Sequence, residues 1–138
     1  MSKTMLALAA GVAASLLALP GAAGARDRAD PEAKLARMLE GRVAGEPRDC
    51  IYLPRIRSSR IIDRTAIVYE DGATLWVNRP DSGASTLDDD DVQVTDVHGS
   101  QLCSIDVVRL HDRSTFFYSG FVGLGEFVPY RKDKSLRR

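Results

Sequence analysis

The chain has 138 residues, with 19 Lys and Arg against 19 Asp and Glu, two His and two Cys. That length suits one small domain, and a formal net charge of +0 gives no electrostatic reason to expect nucleic acid or an anionic membrane as partner. Two scattered cysteines and two scattered histidines lack the ligand spacing of a zinc site, so no metal or other cofactor is expected.

In chain order, residues 1–25 read as a secretory signal peptide. Lys3 provides a short positive region and "MLALAAGVAASLLAL" (Met5 to Leu19) an apolar one. Pro20 and Gly21 then break any helix, and "AGA" (Ala23 to Ala25) fits a small-x-small cleavage site. The apolar run is too short and too rich in Ala and Gly for a membrane span, which needs about 20 apolar residues. Cleavage is expected after Ala25, leaving no transmembrane span and a periplasmic or secreted product. Lys3 is the only charged residue lost, so the mature chain stays close to neutral.

Residues 26–48 are expected to form an N-terminal helix and a linker. Asp30 suits the N-cap, Pro31 the first helical position, and Glu32 complements the helix dipole. Leu35, Met38 and Leu39 make one narrow apolar stripe, and Gly41 can end the helix. A stripe this narrow predicts docking at the domain edge.

From Cys50 the pattern changes to period two with turn signals, and residues 49–130 read as a β-rich domain. "RIRSSRII" (Arg55 to Ile62) is a candidate strand. "RTAIVYEDGATLWVNR" is the clearest hairpin. With Asp71-Gly72 as its two-residue turn, Val68 faces Leu75 and Ala66 faces Val77 on one face, while Ile67 faces Trp76 and Tyr69 faces Thr74 on the other. "RPDSGASTLDDDD" (Arg79 to Asp91) is a loop. A second hairpin is predicted to turn at Gly99-Ser100, with Val97 opposite Leu102, Asp96 opposite Cys103 and Val94 opposite Ile105. "STFFYSGFVGLGEFVPY" supplies one or two strands ending at Pro129. The basic tail, residues 131–138, has almost nothing to bury and is expected to be disordered.

The candidate chemistry turns on Cys103. The Gly99-Ser100 register places it inward beside Val92, Val94, Ile105 and Val107, where a thiol is inert. A nucleophilic thiolate needs a cationic or histidine partner. His111, eight residues along the same strand, lies about 26 Å away at about 3.3 Å per residue, and His98 sits at the wet turn. The alternative role is a disulfide to Cys50, which precedes the apolar "IYL" and belongs with an oxidising compartment. A bridge over this span stabilises by roughly 4 kcal/mol on the chain-entropy estimate.

"DDDD" (Asp88 to Asp91) lacks the residue order that wraps one calcium ion and reads as a solvated acidic loop. The glycines of "GLGEF" (Gly123 to Phe127) precede no helix N-terminus and mark a bend rather than a phosphate loop. No G-x-S-x-G elbow is present, while Glu70, Asp106 and Glu126 leave a carboxylate pair open. Arg55, Arg57 and Arg60, together with Tyr69 and Trp76, form a possible binding surface for a polyanion or glycan. Against it stands the alternative in which the arginines are merely wet and Trp76 packs beneath the N-terminal helix.

"DCIYLPRIRSSRIID" (Asp49 to Asp63), "VNR" (Val77 to Arg79), "LCSID" (Leu102 to Asp106) and "LGEFVP" (Leu124 to Pro129), in that order behind a signal peptide, resemble a family of small secreted proteobacterial proteins known as a domain of unknown function. Members of that family often carry two more cysteines, where this chain has residues around Ala84 and Val122. If those two pair with each other, the resemblance implies that Cys50 and Cys103 are the remaining pair. It further implies envelope localisation, and it brings no catalytic residue.

The expectation is therefore a mainly β domain, an antiparallel sheet curled into a small sandwich or partial barrel with one N-terminal helix. Its expected role is that of an exported, non-enzymatic binding or interaction module whose partner is another envelope protein or a glycan. Two rivals remain: a small periplasmic hydrolase using an unidentified carboxylate or Ser, and a structural envelope component. An enzyme should show a concave pocket with convergent polar groups, and a binding module an exposed apolar or Trp/Arg patch.

Overall fold

The computed structural model describes residues 30–136; the expected signal peptide and cleavage site lie outside the described residues. One helix, α1 (Pro31–Met38), precedes ten strands: β1 (Arg42–Ala44), β2 (Cys50–Tyr52), β3 (Ser58–Ile62), β4 (Ala66–Asp71), β5 (Thr74–Asn78), β6 (Asp91–Thr95), β7 (Gln101–Cys103), β8 (Val107–Asp112), β9 (Tyr118–Gly123) and β10 (Phe127–Lys132). Three antiparallel sheets result, in the orders β1-β10-β5-β4-β3, β2-β7 and β6-β8-β9. The fold is a small β-sandwich with one helix, and the sheets do not close into a barrel.

The helix starts as its sequence requires. Asp30 Oδ1 accepts the Glu32 N–H at 3.2 Å, with Pro31 in the first turn. Leu35 is buried against Ile62, Ala66, Val68, Leu75 and Val77. A two-pronged ion pair, Arg79 Nη1 to Glu32 Oε1 at 2.7 Å and Nη2 to Oε2 at 2.9 Å, ties the helix to the end of β5. Arg79's hydrogen bond also lowers the Glu32 pKa.

The five-stranded sheet is covered on both faces. Ala66 and Val68 of β4 turn toward α1, while Ile67 and Tyr69 turn toward the other two sheets and pack with Trp76, Val108, Leu110, Val122 and Phe127. Such double cover explains an unbroken buried run where one-sided burial would give strict alternation. Trp76 is thus buried on the face away from the helix, not beneath it.

Two predicted hairpins differ from the observed ones. In the first, Asp71 pairs with Thr74, so Gly72 and Ala73 form the turn, and Tyr69 lies opposite Trp76. An Asp71-Gly72 turn of the Asn-Gly type needs positive φ at both residues. Here Gly72 alone has it (φ 56°), in the first central position, where a II′ turn places glycine. Both faces keep their predicted members because the shift preserves the period-two parity.

The second predicted hairpin does not form. β7 leaves to pair with β2, and β6 pairs instead with β8, with Val92 opposite His111 and Val94 opposite Arg109. Asp106 breaks the continuous strand that the Gly99-Ser100 turn would need. Its carboxylate accepts the Cys103 N–H at 2.7 Å while its own N–H donates to the Cys103 carbonyl at 3.0 Å. The expected core face is consequently reversed. Ile105 is 89% exposed and Val107 half-exposed, while Val108 and Leu110 are fully buried.

The chain end also departs from expectation. β10 runs through Pro129 to Lys132 and pairs with β1 inside the segment expected to be linker, so Arg131 and Lys132 are ordered strand. Pro129 is tolerated between two neighbours because its missing N–H falls at a gap. Gly45 donates to the Pro129 carbonyl and Arg48 exchanges both bonds with Phe127, while Glu46 and Pro47 lie outside the ladder.

Candidate interaction surface

Cys50 and Cys103 are disulfide-bonded, with Cα atoms 4.0 Å apart. Leu53 N–H donates to Ser100 O and Ser104 N–H to Asp49 O, which makes Cys50–Cys103 a non-hydrogen-bonded pair, the closer kind in an antiparallel ladder. The cysteine is a staple and not a nucleophile.

The five proposed surface residues separate. Arg55 pairs with Asp71 at 3.1 Å, Arg60 lies 3.6 Å from Glu70, and Arg57 is exposed. Tyr69 and Trp76, at 4% and 8% exposure, belong to the core. Tyr69's hydroxyl donates to Gln93 Oε1 at 3.5 Å, and burial raises its pKa. A joint Arg–aromatic surface of these five therefore does not exist, because both faces of the β4–β5 hairpin are covered.

The other candidates are engaged structurally. Asp63, Asp88 and Asp89 lie close together, yet Asp63 Oδ1 accepts the Asp89 N–H at 2.8 Å, Asp88 Oδ1 the Asp90 N–H at 3.0 Å, and Asp89 Oδ2 pairs with Lys34 at 2.7 Å. The "GLGEF" glycines make a bend. Asn78, fully buried, donates from Nδ2 to Gly125 O at 2.6 Å and accepts the Gly125 N–H at 3.1 Å. Glu70 lies on β4 beside Arg60, Asp106 caps Cys103 in the β7–β8 connection, and Glu126 lies in the β9–β10 connection. A cleft of about 540 Å³ between α1, β3 and β6 is lined by Lys34, Arg37, Arg60, Arg113, Asp89 and Asp91 among others.

The feature that sequence reasoning missed is the outer face of the β6-β8-β9 sheet. β6 reads "DVQVT", and alternation alone would bury its valines. The structure inverts it. Asp91 and Gln93 turn inward, where Asp91 accepts the Ser119 hydroxyl at 2.6 Å and Gln93 meets Tyr69 and Ser59, while Val94 turns outward. A strand that breaks the burial pattern in this way marks a functional or strained place.

β9 adds aromatic residues to that face through a bulge. The ladder pairs Leu110 with Gly120 but His111 with Tyr118, leaving Ser119 as the extra residue. In a regular strand Tyr118 and Phe121, three apart, would point to opposite faces. The bulge brings both to the outer face, opposite His111 and Arg109. Tyr118 is 57% and Phe121 52% exposed, and the connecting loop presents Phe116 at 72% and Phe117 at 76%.

That loop is built from within. Asp112 Oδ1 accepts the Ser114 and Thr115 amides at 3.0 and 2.7 Å and their hydroxyls at 2.6 and 2.8 Å. These bonds, Ser114's hydroxyl foremost, hold the carboxyl down at about 2. Phe116 N–H donates to Asp112 O at 2.8 Å, and the Asp112 N–H to Phe117 O at 2.9 Å. His111 Nδ1 lies 3.2 Å from Phe116 O, which can only accept, so Nδ1 carries the proton. The closed loop forces Phe116 to φ 58°, a conformation that costs a non-glycine residue roughly 1–2 kcal/mol. Strain spent to display an aromatic side chain to water points to use of that side chain.

The result is an outer sheet face that exposes Val94, Val107, Tyr118 and Phe121 beside the Arg109–Asp96 ion pair, with Phe116 and Phe117 exposed on the adjoining loop and Ile105 in the turn before β8. Fold and face together define a disulfide-stapled β-sandwich with one sheet face left exposed among the described residues. Compared with family models, curated proteins and solved structures, the chain finds no match.

Proposed function

We propose that the chain is an exported, non-enzymatic interaction module that works by docking another protein on the β6-β8-β9 face. The observation that carries this reading is the exposed aromatic face itself. Isolated exposed apolar residues are ordinary, but several large ones gathered on a sheet face and the loop beside it mark an interaction site. Three of the four exposed aromatics on this face and its adjoining loop are phenylalanines, which lack the polar edge group that suits Tyr and Trp to wet, sugar-lined contacts. That composition favours a protein surface over a glycan.

Export is supported by three features: the signal-like residues 1–25, the resemblance to secreted envelope proteins, and the disulfide, which persists in oxidising compartments. Among the described residues no helix is long and apolar enough to cross a membrane. The hydrolase reading fares less well. In the cleft, Lys34 and Asp91 are already engaged by Asp89 and Ser119.

A photo-crosslinking amino acid placed in cells at Tyr118 or Phe121 tests the proposal. Covalent adducts are expected from both positions and not from Arg57, exposed just before β3 in the other sheet. Equal adduct yields from Arg57, or none from the aromatic face, would remove the reading.

A further inference from the structure

We infer that the β4–β5 turn end of the five-stranded sheet is a second contact surface, one that sits on the phosphate headgroups of an anionic phospholipid bilayer. The observation that carries it is how charge is distributed. The chain as a whole is neutral, but at physiological salt a charge is felt over only about 8 Å. A partner therefore meets the local patch and not the sum.

Cations ring the β4–β5 turn. Arg42 of β1 donates from Nη1 to the Ala73 carbonyl at 2.7 Å, and Arg131, Lys132 and Lys134 line a cleft of about 410 Å³ against Ala73 and Thr74. On the other side of the turn, Arg55 and Arg57 line a second cleft with Asp71 and Gly72. Arg57, expected beside Tyr69 and Trp76, instead shares this end with cations of β1 and β10.

The acids at this end are few and mostly engaged. Asp71 pairs with Arg55 at 3.1 Å, Glu70 lies 3.6 Å from Arg60, and Asp133 Oδ1 accepts the Ser135 amide and hydroxyl at 2.8 and 2.7 Å. Glu40, exposed beside Gly41, remains. Among the described residues, Arg42, Arg57, Arg131, Lys132 and Lys134 make no ion pair, and the sequence continues with Arg137 and Arg138. The acids that balance the chain lie elsewhere. Asp88, Asp89 and Asp90 gather by Asp63 at the β3–β4 turn, at the other end of β4. The six residues of β4 span about 20 Å at about 3.3 Å per residue. That exceeds two screening lengths, so the acidic loop does not cancel the basic end.

The arrangement suits a plane of phosphates better than one small anion. Arg131 and Lys132 are consecutive in β10 and so point to opposite faces of the sheet. They cannot close on a single ion, yet both reach a flat surface met by the end of the sheet. Val43, 52% exposed and opposite Arg131 in the β1–β10 ladder, adds an apolar contact at the same place. The Phe116–Phe117 loop lies by the acidic loop instead, since Arg113 Nε donates to the Asp90 carbonyl at 3.3 Å. A bilayer at the basic end therefore leaves that loop free. The choice of a bilayer over a nucleic acid rests on the export reading, under which phospholipid and not nucleic acid is in reach.

Co-sedimentation with vesicles of the full, disulfide-intact protein recovered from the exporting cell is the test. Vesicles containing phosphatidylglycerol should bind it and pure phosphatidylcholine vesicles should not, with affinity falling as salt rises. Lys132→Gln and Lys134→Gln should each weaken binding about fivefold, and the pair about 25-fold, the effect of removing a cation from an anionic surface. Arg37→Gln, the same charge change beside Asp88, Asp89 and Asp90, should leave binding unchanged. Thermal unfolding of each variant separates loss of binding from loss of fold. Equal binding to both kinds of vesicle, none to either, or an equal loss from Arg37→Gln overturns the inference. So does equilibrium dialysis in which pyrophosphate binds as tightly as the phosphatidylglycerol vesicles, which would make the ligand a soluble phosphate. Tighter binding to duplex DNA at the same salt overturns it as well. The adducts expected from Tyr118 and Phe121 do not depend on these cations, so either surface can fail alone.

Discussion

Asn78 offers the sharpest test of how this fold is held together. Its side chain is completely buried, and its amide makes a two-way clamp on Gly125, 2.6 Å to the carbonyl and 3.1 Å from the N–H. The clamp fixes the bend between β9 and β10 where the backbone passes too closely for any side chain. A Cβ on Gly125 would lie 2.4 Å from the Arg79 carbonyl oxygen. Asn78→Leu keeps similar volume but leaves the Gly125 N–H and C=O without partners. Each buried unsatisfied group costs about 1–3 kcal/mol, so with two of them the variant should lose roughly 2–6 kcal/mol of a total near 5–15 kcal/mol. Urea unfolding monitored by Trp76 fluorescence reads this as a lower midpoint at unchanged slope. Asn78→Asp isolates the donor. Its carboxylate can still accept the Gly125 N–H but faces the Gly125 carbonyl, so burial and repulsion raise its folded pKa above the unfolded value near 3.9. The deficit should be full at neutral pH and shrink as pH falls through that raised pKa, because the protonated acid can again donate. A Leu variant within about 0.5 kcal/mol of the parent, the usual range for surface changes, would refute the clamp's role. An Asp variant whose deficit ignores pH would refute the assignment of the donor.

Replacing both cysteines by alanine should remove roughly 4 kcal/mol for a bridge joining residues 53 apart, read as a lower urea midpoint; matching midpoints for the oxidised and reduced parent would contradict it. Phe116→Gly releases a residue held at φ 58° and should stabilise the fold by about 0.5–1 kcal/mol in thermal unfolding; loss of stability would show that Phe116 is structural. The Asp112 carboxyl, depressed to about 2, supports the aromatic loop above the ordinary carboxylate pKa and releases it as pH falls through its folded value. The Ser114 and Thr115 amide resonances should therefore titrate near pH 2, and Asp112→Asn should abolish that transition.

Much of the fold was legible because it is local. Asp30, Pro31 and Glu32 start α1 through contacts within two residues of each other. The two faces of β4 and β5 were readable because side-chain parity survives a slipped turn, even though the Asp71-Gly72 register itself was wrong. The disulfide partners were legible because there are only two cysteines in the chain. The candidate site was not legible at all. "DVQVT" and "FFYSGF" give misleading or silent patterns until their neighbours are known.

What the sequence by itself determined is therefore the mainly β character, the helix and its cap, the alternation of β4 and β5, and which cysteines can bridge. These follow from near-neighbour geometry and chemistry. The tertiary structure alone decided that β7 abandons its neighbour for β2, that β10 continues past Pro129, and that Tyr69 and Trp76 are interior. It also decided that a bulge at Ser119 and an inverted β6 bring Tyr118, Phe121 and Val94 to one face. Each of these depends on pairing between segments far apart in the chain. In this sandwich Val108, Leu110 and Val122 claim the interior, so Val94, Val107 and Phe121, on the opposite side of the same sheet, are left facing water.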